Sequence, residues 1–137
     1  MTIHETTKTE TDNIIKTELE TNLPYFTGSE TFSRWSILFP KFYLTEGAKY
    51  LAETAGAYWL MDVIASWQHK QAVRRETFQV WTMTVKANHE ARIVCDDGNG
   101  NKLAVQIIPY TDFPFNWFKL YFCNQGSESI ILLPGEY

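Results

Sequence analysis

Three groups of side chains have the types and spacing to do chemistry. Asp62, Ser66 and His69 recur at i, i+4 and i+7, so a helix carrying them presents a carboxylate, a hydroxyl and an imidazole on one face. That is the inventory of a hydrolase triad. With the Asp96-Asp97 pair and a metal ion it would serve a small hydrolase or nuclease. A triad also needs a strained nucleophile turn and oxyanion donors, however, and neighbours on one helix splay outward. The polar side of an amphipathic helix accounts for the same three residues.

The second group, Asp97-x-Asn99-x-Asn101, opens like a calcium loop and then departs from it. Its sixth position is Lys102 where glycine is needed, and its twelfth is Ile108 where a bidentate Glu belongs. A tight turn explains these residues without a metal. Walker, dinucleotide-glycine, HExxH and GxSxG motifs are absent. The expectation is therefore no catalytic residue, no metal and no cofactor.

The third group is cationic. His69-Lys70 and Arg74-Arg75, beside Trp67, could grip a phosphate or stack on a base, although a helix C-terminus attracts cations in any case. Trp67, His69, Lys70, Arg74 and Arg75 are the expected partner-binding set. A second candidate is the aromatic run of residues 110–118, where Phe113, Phe115 and Trp117 would form a contact loop. Pro114 keeps that run from being a central strand, and the competing reading is a loop folded back over the sheet.

The elements that position these groups read as helices first and strands after. Asp12 can cap a short helix bearing Ile15 and Leu19, stopped by Pro24. Residues 1–10 are expected to be disordered. Residues 32–39 read as extended structure or a packed loop. Thr45 caps a helix ending at Gly56, and a second helix runs from about residue 57 to 72 with Leu60, Met61, Ile64 and Ala65 on its apolar stripe. From Thr77 the period changes to two, with Trp81, Met83 and Val85 alternating against threonine and lysine. Residues 91–96 and 102–110 flank an Asn99-Gly100 hairpin signal, and residues 118–123 and 129–133 form a last pair. The expected fold is α+β, with helices packed on one face of a four- to five-stranded antiparallel meander. Residues 118–123 are the expected edge strand, which could support a homodimer.

Length and charge bound the function classes. The 137 residues suit one domain, and nine Phe, seven Tyr and five Trp are enough rings for a thick core. Residues 1–22 form an acidic arm and residues 23–137 the domain. The first 30 residues hold Lys8 and Lys16 against six acids, which is the whole net charge of −4. A neutral body has no obvious long-range field for nucleic acid, so direct binding to it ranks below binding to a protein, and the chain is also a poor candidate for a DNA mimic. No apolar run reaches a membrane span and no signal peptide is evident, so a cytoplasmic location is expected. Cys95 and Cys123, 28 residues apart, read as small apolar side chains.

Several stretches together resemble a known group: Phe26-Thr-Gly-Ser-Glu30, Gly56-Ala-Tyr-Trp-Leu-Met-Asp-Val-Ile-Ala-Ser66, Cys95-Asp-Asp-Gly-Asn-Gly-Asn101, Pro109-Tyr-Thr-Asp-Phe-Pro114 and Leu132-Leu-Pro-Gly-Glu-Tyr137. The chain is similar to an uncharacterised family of small bacterial proteins, a domain of unknown function found on phages, plasmids and other mobile elements. The resemblance brings no activity or cofactor. It implies a setting of accessory and counter-defence factors. The expected function is a non-enzymatic interaction protein that binds a host protein or protein–nucleic-acid complex and inhibits a defence or nuclease assembly, as anti-CRISPR proteins do.

Overall fold

The computed structural model describes the backbone of residues 3–137 and the side chains from Glu10 onward. A long helix, α1 (Ile3–Asn22), precedes β1 (Phe42–Leu44), α2 (Glu46–Ala55), α3 (Tyr58–Ser66) and the four-residue α4 (Gln71–Arg74). Strands β2 (Phe78–Val85), β3 (Ala91–Asp96), β4 (Lys102–Ile108), β5 (Trp117–Asn124) and β6 (Ser129–Leu132) complete the chain. The fold is α+β, but the sheet has six strands in the order β1-β6-β5-β2-β3-β4 and is mixed, which corrects the expected four- to five-stranded antiparallel meander. The extra strand is β1, which runs parallel to β6 with Phe42 beside Ser129 and Leu44 beside Ile131. Three residues in an aromatic loop carry no readable period, and only the distant β6 makes them a strand. The hairpins β2–β3–β4 and β5–β6 were legible because alternation and turn residues are local signals.

One face of the sheet carries the core. Leu51, Leu60, Met61, Ile64 and Val73 from the helices meet Trp81, Met83, Ile93, Cys95, Leu120, Phe122 and Ile131 from alternate strand positions. Leu19 of α1 joins the same cluster and is fully buried. The opposite face buries Val80 and Leu132 beside the Tyr137 ring, which lies 5.1 Å from Phe78 and 5.6 Å from Tyr121, and is bare toward β4, where Val105 and Ile107 are exposed.

Two helix expectations change. The first helix starts at Ile3, so Asp12 lies inside it and does not cap it, and residues 3–10 are helical where disorder was expected; residues 1–2 lie outside the described residues. The helix expected over 57–72 breaks after Ser66 into a 3-10 turn (Trp67–His69), and Lys70 is extended at φ −81°, ψ 122°. Gln68 supplies the physical reason, because its buried amide must find a polar partner on β2 rather than continue the apolar stripe. The α2 caps hold as expected: Thr45 Oγ1 accepts from Ala48 N at 3.2 Å, and Gly56 adopts the left-handed conformation.

Residues 118–123 are not an edge. They lie in β5, between β2 and β6. Residues 32–39 contribute only a bridge from Ser33 to Leu44, and a turn.

The cysteines are free and differ in exposure, Cys95 being buried and Cys123 half-buried. Burial pushes the Cys95 thiol up to about 12, with the charges of Asp96, Asp97 and Glu76 adding to it. Burial also raises Cys123, which keeps partial access to solvent. A thiol reagent at about pH 8 is expected to modify Cys123 in the native protein and Cys95 only on unfolding, because thiolate fraction and access set the rate. Equal rates at the two sites in a native time course would contradict this packing.

Candidate functional site

The residues read as a triad do not converge. Asp62 Oδ1 accepts from the Trp35 indole at 2.8 Å, and Ser66 Oγ donates to Val63 O at 2.9 Å. The His69 ring turns back to the Ser66 carbonyl. Asp96 Oδ1 accepts from Gly98 N, while the Asp97 carboxylate accepts from Asn99 N at 2.8 Å and from the Asn101 amide at 2.8 Å. Those bonds, the Asn101 amide first, hold the Asp97 carboxyl below the usual carboxylate range. The turn is therefore built around Asp97. Gly98 and Gly100 take φ of 88° and 86° while Asn99 does not, so the two-residue Asn-Gly hairpin gives way to a longer connection. Among the described residues no three His, Cys, Asp or Glu side chains are placed to hold a metal ion.

The cationic residues do frame a site. A cleft of about 390 Å³ opens between the 38–42 loop, the end of α3 and the β5–β6 turn. Its floor is aromatic: Phe42 sits 5.8 Å from Phe39 and 6.0 Å, edge to face, from Phe122. His69, Arg74 and Lys41 line it together with Asn124, Gly126 and Ser127. Two neighbouring side chains, Ile37 and Leu38, are 95% and 80% exposed. Ion pairs among the described residues occur only as Lys49–Glu53 and Lys86–Glu90, so Lys41, Lys70, Arg74 and Arg75 have no carboxylate partner among them.

Beneath the cleft lies a buried amide pair. Gln68 Nε2 donates to Gln79 Oε1 at 2.8 Å, and Gln79 Nε2 returns a bond to Gln68 Oε1 at 2.9 Å. Trp81 Nε1 donates to Gln79 Oε1 at 3.0 Å, and Gln79 Nε2 also reaches Val73 O at 2.8 Å. This network ties the 3-10 turn and α4 to β2. Arg74 is then set by its own contact to Gln68 O at 3.4 Å and by Asn124 Nδ2, which donates to Arg74 O at 3.2 Å.

Of the expected partner-binding set, His69 and Arg74 line the cleft and Lys70 and Arg75 adjoin them in the chain. Trp67 points elsewhere, its indole donating to Gln106 Oε1 on β4 at 2.7 Å. The expected contact loop divides. Phe113 is buried, Phe115 packs 6.0 Å from it, and only Trp117 is exposed, with Lys119 Nζ 5.5 Å over its ring beside a second cleft of about 430 Å³. Sequence reasoning missed Lys41, Phe42 and Phe122. Their joining depends on the parallel β1–β6 pairing, where Ser129 N donates to Lys41 O at 3.0 Å, and no local signal announces that.

No curated protein matches the chain. It is similar to a crystal structure of a protein of unknown function from Enterococcus faecalis, at 16% identity and a TM-score of 0.49, over 78% of this chain and 98% of that one. No helix among the described residues is long and apolar enough to cross a membrane. The profile of a family of unknown function (DUF6876) matches residues 17–137, which include the whole sheet and the cleft, and the chain belongs to that family.

Proposed function

We propose that this protein is a non-enzymatic interaction module that captures an acidic segment of a macromolecular partner in the cleft floored by Phe39, Phe42 and Phe122. The observation that carries the reading is the pairing of an aromatic floor with cations that lack carboxylate partners among the described residues. An apolar anchor desolvates on such a floor, while acids flanking it meet Lys41, His69 and Arg74 and set orientation and on-rate. The resemblance to mobile-element proteins extends the proposal to a cytoplasmic counter-defence role, with a host defence or nuclease complex as the partner. The hydrolase alternative has weaker support, since Asp62, Ser66, His69 and Asp96-Asp97 are each committed to separate contacts.

The test is fluorescence anisotropy with labelled acidic peptides that each carry one aromatic residue. The variant Lys41→Glu/Arg74→Glu is expected to bind at least about tenfold more weakly, the equivalent of about 1.4 kcal/mol. Both side chains lie on the surface, so the melting temperature should move by no more than about 2 °C. Unchanged peptide affinity in the variant, or preferential capture of duplex DNA with a steep salt dependence, overturns the reading.

A further inference from the structure

The two edges of the sheet are finished differently. At the β1 edge, Ser33 exchanges two backbone hydrogen bonds with Leu44, at 3.0 and 2.8 Å, and occupies the outer side of the strand. At the other edge β4 is seven residues long and pairs with β3 alone. Among the described residues no backbone hydrogen bond from any other element reaches residues 103–108. Alternate N–H and C=O groups along such a strand face outward unpaired. Of the usual guards only a bulge at Leu103, at the start of the strand, is present: the single charge, Lys102, stands at that same end, and Pro109 lies beyond the other. Val105 and Ile107, on the bare face of the sheet, are 40% and 49% exposed.

We infer that β4 is the interface of a symmetric homodimer, in which two copies pair β4 with β4 antiparallel about a two-fold axis through Val105. In that register Val105 faces its own copy and Ala104 lies opposite Gln106, with the bulged Leu103 and Lys102 at the ends, opposite Ile107 and Ile108. No like charges oppose one another, and on the exposed face Val105 meets Val105 of the second copy. The occupant is a second copy because the fold permits one closed solution. The β1 edge is taken by Ser33, so a second molecule offers only its own β4 as a matching strand, and the resulting pair is isologous and finite. This inference is independent of the cleft at the 38–42 loop.

Sedimentation velocity of the full chain tests it. An interface below about 1,200 Å² implies a reversible dimer, so the weight-average mass should rise from monomer to dimer across about 1–200 µM. Val105→Lys/Ile107→Lys, with folding checked by circular dichroism, is expected to raise the dissociation constant at least about tenfold by opposing like charges across the strand pair. In a Cys123→Ser background, Val105→Cys should form a disulfide dimer under copper–phenanthroline oxidation, since directly opposed Cβ atoms lie about 4.5–5.5 Å apart. Thr84→Cys in the same background should not. Should the double lysine variant fail to fold, the Val105→Cys cross-link decides alone. A monomer at every concentration, an unchanged dimer in the lysine variant, an assembly that keeps growing, or no Val105→Cys cross-link each overturns the inference.

Discussion

Replacing Gln79 by leucine should lower the unfolding free energy by about 3 kcal/mol, because two buried polar groups lose their partners at about 1–3 kcal/mol each. The groups are the Trp81 indole N–H and Gln68 Oε1, both of which bond to Gln79. Leucine fills most of the volume and recovers some apolar transfer energy, but it offers neither a donor nor an acceptor. For a domain of this size the loss corresponds to a fall of about 10 °C in melting temperature. Removing both amides is the informative control. In Gln68→Leu/Gln79→Leu only the indole remains strictly orphaned, so the double variant should lose less than the two single losses added together. Urea denaturation of the four proteins measures this directly. Additive losses, or a Gln79→Leu loss below about 1 kcal/mol, would show that the amides are not coupled.

Glu136→Ala should cost about 2–3 kcal/mol, since hydrogen bonds to a charged acceptor contribute about 1.5–3 kcal/mol and the orphaned donors add to the loss. The Glu136 carboxylate accepts from Ser29 Oγ at 2.8 Å, Thr45 Oγ1 at 2.6 Å, Gly47 N at 3.1 Å and Leu133 N at 3.0 Å. It therefore clamps the C-terminal turn to the first turn of α2, where a negative charge also meets the positive end of the helix dipole. Gly47 is the reciprocal half of this clamp. A Cβ there would lie 2.6 Å from Leu133 Cδ1 and 2.7 Å from Glu136 Oε1, so Gly47→Ala must push the same contact apart. We expect Gly47→Ala alone to cost about 2 kcal/mol, within the range for overpacking a filled site. Glu136→Ala/Gly47→Ala should cost less than the sum, because the first change vacates part of the space the second needs. Equilibrium unfolding checks both expectations, and a wild-type midpoint for Glu136→Ala would refute the clamp.

These two networks show where the sequence was legible. Thr45 and Gly56 announced the ends of α2 because caps act within a few residues of chain. Trp81, Met83 and Val85 announced β2 through their period of two. Gln68 carries no local sign of its role, because its partner Gln79 lies in another element across a turn. Glu136 lies 89 residues from the Gly47 amide it holds, and nothing near it in the chain suggests that role.

The same division runs through the candidate site. Composition and local period determined, without any structure, that the chain is α+β and that a basic cluster lies at Lys70, Arg74 and Arg75. The cleft itself depended on the parallel pairing of β1 with β6, which brings Lys41 and Phe42 beside the β5–β6 turn. It depended as well on the break after Ser66, which turns Arg74 toward that turn and Trp67 toward β4. Caps, periods and turns are energies of a few neighbouring residues and can be read in order along the chain. Parallel strand pairing and buried amide partnership are satisfied only between distant segments, so their outcome waits on the whole chain being packed.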